Sequence, residues 1–188
     1  ATVILVGFMG AGKTTIGRLL AQRLGWEFVD LDDRVREHEG RSVPEIFRVA
    51  GEEHFRKIES ECLEQVLREK KGLSTGPGTG RSPGTTRPTG LILALGGGAF
   101  VQANNQELIR KAGVQVVFLD ALPEVLYRRC IPQAGERPLL ADENQFRQLY
   151  EARREGYMAA GVRVDTTALT PGQVADEIAC RLDLADYS

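Results

Sequence analysis

Near the start of the chain, Gly7-Phe-Met-Gly-Ala-Gly-Lys-Thr14 has the spacing G-x-x-x-x-G-K-[ST]. It stands between a β-branched apolar run, Thr2-Val-Ile-Leu-Val6, and the onset of a helical pattern. Glycines at 7, 10 and 12 permit unusual dihedrals and leave room for phosphate oxygens. The N–H groups of such a loop converge as an anion nest at the positive end of the helix that follows. Lys13 adds a compact cation for β- and γ-phosphates, and Thr14 a hydroxyl for Mg²⁺. A glycine-rich turn without a ligand would need neither residue at this offset, so the stretch reads as a nucleoside triphosphate site. Two carboxylates, Asp30 and Asp32, follow the next strand pattern. A second apolar run ending in aspartate, Val116-Val-Phe-Leu-Asp120, has the shape of a Walker B strand. Asp120 leads into a proline-initiated helix, however, and helping to cap that helix is at least as good a reading. Asp30 and Asp32 are therefore preferred as the functional pair. Arginines stand near glycine and proline hinges at Arg56, Arg137 and Arg153. A guanidinium fork donates two parallel hydrogen bonds to a carboxylate. Phosphoryl transfer needs such parts, because two anions must meet, charge must be stabilised and water excluded.

These groups must be held by alternating strands and helices. A helix from Lys13 carries Ile16, Leu19, Leu20 and Leu24 on one face and ends at Gly25. Glu27-Phe-Val-Asp30 reads as a strand that delivers Asp30 and then Asp32 to the carboxyl edge of a sheet. Ser42-Val-Pro-Glu45 is a capping box that opens a helix over 43–50. A longer helix over 52–70 has Phe55, Ile58, Cys62, Leu63, Val66 and Leu67 on its apolar face. Residues 72–90, rich in Gly, Pro, Ser and Thr, lack apolar periodicity and read as a mobile insertion. That insertion enters the strand Leu91–Leu95 at the amino edge, whereas ligands of open parallel sheets bind at the carboxyl edge. It is expected to lie away from the chemistry. Strand 91–95 runs into Gly96-Gly97-Gly98, which lets backbone come close to a ligand. A helix near 105–112, a strand 114–119, a helix from Pro123 to about Cys130 and a helix over 144–160 follow. A strand at 162–164 precedes a last helix capped by Thr170-Pro-Gly-Gln173. The pattern predicts an α/β fold, a parallel sheet of about five strands flanked by helices.

The 188 residues suit a single domain with a proper core. A net charge of −2 excludes a global positive field for nucleic acid or an acidic membrane. Cys62, Cys130 and Cys180 lack metal-ligand spacing and read as reduced thiols of a cytoplasmic protein. No transmembrane run or signal peptide is present. The start at Ala1 leaves open a trimmed leader and with it a plastid location. The absence of Asn-Lys-x-Asp argues against a guanine-nucleotide switch.

Taken in order, the motifs resemble those of the shikimate kinases. They are Gly7–Thr15, Asp30-Leu-Asp32, Phe55-Arg-Lys-Ile-Glu59, Gly96–Gly98, Arg137-Pro-Leu-Leu140, and Arg153 with Tyr157 four residues on. The resemblance implies a P-loop kinase fold with a mobile lid over about 131–143 and a small acceptor-binding helical region over about 31–60. It implies transfer of the ATP γ-phosphoryl group to the 3-hydroxyl of shikimate, with Mg²⁺ as cofactor and a monomer that binds neither nucleic acid nor membrane. By the same resemblance Gly10, Ala11, Gly12, Lys13, Thr14 and Thr15 hold nucleotide, with Lys13 also catalytic. Asp32 bonds the acceptor hydroxyl and takes its proton, and Asp30 meets Mg²⁺ through water alongside Thr14. Arg56 and Arg153 bind the shikimate carboxylate, with a backbone contact from Gly97 between Gly96 and Gly98. Phe47, Phe55 and Glu59 shape the acceptor pocket, Arg137 folds over the phosphates, and Arg129 and Pro171 flank adenine.

The chain departs from the family pattern in the length of 72–90, in a slightly longer lid and in Leu169, an apolar residue beside the expected adenine site. A related kinase, for instance one acting on gluconate, and a catalytically inert docking module are the competing expectations. His38 and His54 read as surface histidines without ligand partners, and Trp26 as core packing.

Overall fold

The computed structural model describes residues 1–73, 90–131 and 142–184. In chain order the elements are β1 (Thr2–Val6), α1 (Lys13–Leu24), β2 (Glu27–Asp30), α2 (Leu31–Glu39), α3 (Val43–Leu73) and β3 (Leu91–Ala94), then α4 (Ala103–Ala112), β4 (Gln115–Asp120), α5 (Pro123–Cys130), α6 (Glu143–Tyr157), β5 (Val162–Asp165) and α7 (Pro171–Arg181). The expected insertion (residues 74–89 of it) and most of the expected lid, Arg137 included, lie outside the described residues.

Five parallel strands form one sheet in the order β2-β3-β1-β4-β5. The inner strands β1 and β3 are apolar along their length because helices cover both faces of a parallel sheet, and all of β3 is buried. Register sets Asp30 level with Ala94, and Ala94 level with Leu5. Asp30, the glycines after β3 and the loop after β1 therefore leave the sheet at one edge. Sequence order reverses at β1, and open α/β sheets bind ligands in the crevice at such a point.

Local signals place the helix ends. Gly25 and Gly113 take left-handed φ of 62° and 66° just past α1 and α4. Gly51 (φ 82°, ψ 174°) breaks α3 between the two helices that the sequence predicts there. The capping box at Thr170 forms, with Gln173 N–H donating to Thr170 Oγ1 and the Gln173 side chain returning the bond. α6 ends at Tyr157 rather than 160, and α2 (Leu31–Glu39) falls within the region over about 31–60 expected to be helical, though local pattern gave it no bounds of its own.

The core ties the first loop to the last part of the chain. Phe8, buried at the end of β1, meets Phe146 edge-on at 5.0 Å and Tyr150 at 5.7 Å, both on α6. Such pairs add about 0.5–1.5 kcal/mol beyond area burial. They lock the loop after β1 to the helix that carries Arg153.

Asp120 does not cap α5, whose N-cap is Leu122 without a side-chain bond. Its Oδ1 accepts from Ala121 N–H (3.0 Å) and the Tyr150 hydroxyl (3.3 Å), and its Oδ2 from Arg154 (2.9 Å) and Arg163 (2.9 Å). A carboxylate only 3% exposed is costly to bury unpaired, and these donors satisfy it. The aspartate at the Walker B-like position is thus an anchor for α6 and β5. Trp26 packs against Gly90 at the amino edge, in keeping with a packing role. His38 and His54 are not without partners, since both flank Glu39, with His54 Nε2 3.2 Å from its carboxylate. Those contacts hold the Glu39 carboxyl below its ordinary range. Among the described residues the three cysteines form no disulfide; Cys62 and Cys130 are buried and Cys180 is exposed. Among the described residues no helix is long and apolar enough to cross a membrane.

Candidate active site

The loop after β1 turns through positive φ at Gly7 (151°), Gly10 (82°) and Gly12 (87°). A side chain at Gly7 would meet the Leu119 carbonyl at 2.6 Å, and one at Gly10 the Leu126 carbonyl at 2.7 Å, so the loop is pressed onto β4 and α5. Gly12 is the N-cap of α1 and contributes no side-chain cap, and no acidic residue sits in the first turn. The N–H groups of that turn are thus presented to an anion. Lys13 Nζ donates to Gly7 O (2.8 Å) and Phe8 O (3.2 Å), which holds its ammonium over the loop.

Thr14 Oγ1 donates to Asp30 Oδ2 at 2.9 Å. Asp30 is itself the N-cap of α2, with Oδ1 accepting from Asp32 N–H at 3.1 Å. A hydroxyl beside a carboxylate is the hard-oxygen donor set that Mg²⁺ accepts while keeping most of its water. Among the described residues no group of three or more His, Cys, Asp or Glu could hold a metal. The Thr14–Asp30 pair fits a cation that keeps most of its other ligands.

The run Gly96-Gly97-Gly98 shows why these positions carry no side chain. None of the three has positive φ, so backbone conformation does not demand glycine here. A β-carbon on Gly96 would stand 2.6 Å from Asp32 Oδ1, one on Gly97 3.2 Å from Arg153 Nη1, and one on Gly98 would collide with Arg56 Nη2. The space is taken by charged groups from α2, α6 and α3. The sequence reading takes these glycines to let backbone approach a ligand; in the fold their bare α-carbons also make room for the side chains of Asp32, Arg153 and Arg56. Gly7 O lies 4.0 Å from the same point on Gly97, so the phosphate-type loop and the charged cradle abut.

Each arginine has an aromatic neighbour. The Arg56 guanidinium carbon lies 5.2 Å from the Phe55 ring and that of Arg153 5.8 Å from the Phe8 ring. Phe55 is core, and Phe47, partly exposed, leans on it at 4.7 Å. Glu59, 1% exposed, accepts from Arg56 Nη1 at 2.8 Å. Burial pushes the Glu59 carboxyl up, against the pull of Arg56, and the Asp32 carboxylate adds to the push. Glu59 thus fixes Arg56 at the cost of a strained charge of its own.

Away from this cradle, Arg129 donates to Thr166 Oγ1 (3.2 Å) and Thr166 O (2.7 Å), which ties α5 to the segment before α7. Pro171 opens α7 and is exposed, as is Thr15 on α1. Leu169 packs against the core. Sequence reasoning assigned no role to Tyr157, which the fold buries beside Gly97 and Arg153. Its position four residues after Arg153 was the available signal, since i and i+4 share a helix face.

Gly98→Ala tests the cradle directly. The added methyl displaces the flexible end of Arg56, which can shift while keeping a bond to Glu59, so the melting temperature is expected to fall by only a few degrees, less than in Arg56→Ala. The KM for an anionic acceptor is expected to rise roughly tenfold or more, the worth of a charged hydrogen bond. Steady-state kinetics and a thermal melt on the same variant check both halves.

A family model described as "Shikimate kinase" matches residues 9–87 and 84–183. The shikimate kinase of Persephonella marina is 34% identical over 181 residues, 96% of this chain and 98% of the relative. A shikimate kinase from Acinetobacter baumannii, solved in complex with shikimate, is 32% identical with a TM-score of 0.79, covering 98% of this chain and 94% of that one. A gluconokinase from Sinorhizobium meliloti, 14% identical with a TM-score of 0.56 over 97% of this chain and 91% of that one, shares the fold alone. With a family match over nearly the whole sequence and a charged cradle set against the phosphate-type loop, the chain belongs to the shikimate kinase family.

Proposed function

We propose that this family member, an ATP-dependent kinase of shikimate, works at the cradle formed by Gly96–Gly98 and the loop beside it, and that the 3-hydroxyl is the acceptor. The observation that carries the reading is the abutment of the two loops, Gly7 O lying 4.0 Å from the Gly97 β-position, with Arg153 beside that point and Asp32 and Arg56 against the neighbouring Gly96 and Gly98. Residues Gly10 to Thr15 cradle the phosphates, and the Lys13 ammonium neutralises charge on the transferring group. Thr14 and, through water, Asp30 would hold Mg²⁺, which would supply positive charge to offset that of the phosphates. Arg56 and Arg153 take the acceptor carboxylate as opposed guanidinium forks, with Gly97 backbone between them. Asp32 accepts the proton of the attacking hydroxyl. Phe47, Phe55 and Glu59 shape the acceptor side, within a region of about 31–60 of one domain. The family pattern assigns Arg137 to the transferring phosphate and Arg129 and Pro171 to adenine.

An assay of ADP release with ATP and Mg²⁺ tests this, with shikimate and gluconate offered in parallel. Turnover that depends on shikimate and not on gluconate is expected. Gluconate-dependent release alone, or none above the ATPase background, would overturn it.

A further inference from the structure

The three carbonyls of Gly96–Gly98 are each held by a different donor. Ala99 N–H donates to Gly96 O at 3.0 Å, Gln102 Nε2 to Gly98 O at 3.4 Å, and the Tyr157 hydroxyl to Gly97 O. Glycine has the largest backbone freedom of any residue, and fixing one residue's backbone costs about 1–2 kcal/mol of entropy. Three in succession would sample many orientations unless their peptide planes were pinned. Every peptide here is trans, so the C=O of one residue and the N–H of the next point to opposite sides of a plane. Holding Gly97 O from the Tyr157 side therefore turns the Gly98 N–H the other way.

The same hydroxyl faces Arg153. Around the point where a Gly97 β-carbon would stand, Arg153 Nη1 is 3.2 Å away and the Tyr157 oxygen 3.6 Å. Tyr157 is 1% exposed, and its ring lies 5.2 Å from Phe118 on β4 at 35°, so the phenol cannot swing away. Burial pushes its pKa up to about 12 against the opposing pull of Arg153. The phenol thus stays protonated at neutral pH and keeps its donor role.

From this geometry we infer that Tyr157 is a positioning residue for the acceptor acid, one hydroxyl fixing both the Gly97–Gly98 peptide and the Arg153 guanidinium. The inference rests on the acceptor site proposed above. Tyr157 touches no reacting atom; it sets two groups that grip the acid's carboxylate.

Tyr157→Phe keeps the ring and its packing and removes only the hydroxyl. Calorimetric titration of the full chain with shikimate in the presence of ADP, and with ADP alone, reads the effect. The shikimate Kd is expected to rise roughly tenfold, as for one lost charge-assisted hydrogen bond. The ADP Kd is expected to stay at the wild-type value, and so is the melting temperature within a few degrees. An unchanged shikimate Kd would overturn the inference, as would a loss shared equally by ADP, which would make the hydroxyl a general structural support. Arg153→Ala runs beside it. If that variant binds shikimate normally the acceptor site itself is misplaced; if it binds poorly while Tyr157→Phe binds normally, only the role of the tyrosine falls.

Discussion

Replacing Asp32 with asparagine is expected to lower kcat with shikimate by about 10²- to 10⁴-fold, the range a positioned general base supplies. Asparagine nearly matches aspartate in shape, and the bond that orders the start of α2 is made by the residue 32 backbone N–H, which the change leaves intact. The side chain therefore keeps its place beside Gly96 and loses only its charge. Removing that charge also relieves the push on the buried Glu59 carboxyl, so stability is expected to hold or rise. A large fall in kcat with an unaltered melting temperature separates chemistry from folding. Turnover near the wild-type value would remove Asp32 from proton transfer.

The arginine pair gives the largest effect on binding. Truncating one partner of a desolvated charge pair costs roughly 2–5 kcal/mol, about 30- to several-thousand-fold in affinity. An exposed pair is worth at most about 1 kcal/mol. Arg153→Ala and Arg56→Ala are each expected to raise the KM for shikimate into the higher range while the KM for ATP stays close to wild type. The two differ in their side effects. Arg56→Ala leaves Glu59 buried without its 2.8 Å partner, so this variant is expected to lose stability as well. Adding Glu59→Gln removes the stranded charge, and the double variant is expected to recover stability but not shikimate binding. Recovery of binding in the double variant would show that Arg56 acts only by neutralising Glu59. A KM for shikimate that barely moves in Arg153→Ala would return that arginine to the solvated surface.

Much of this molecule is legible in its amino-acid sequence. Strand and helix order, the left-handed glycine at 25 and the break between the helices at Gly51 all follow from local rules, because caps and apolar periodicity act over a few neighbouring residues. The bounds of α2 are not legible locally, because Leu31–Glu39 buries only Leu31 and Val35 and is otherwise charged, which leaves little apolar period to read. Asp120 was open to two readings, and the actual one needed Arg154 and Arg163, residues 34 and 43 positions away. Nothing local announces such a pairing.

The amino-acid order by itself determined the glycine-lined loop, the family to which the chain belongs and the alternation of strand and helix, since each rests on spacing along the backbone. Only the tertiary structure decided why Gly96, Gly97 and Gly98 bear no side chains. Three charged groups from α2, α3 and α6 converge where those β-carbons would stand. Convergence of that kind depends on how the sheet and its helices pack, and packing joins residues that sequence separates by more than a hundred positions, as with Arg56 and Tyr157 around one short glycine run.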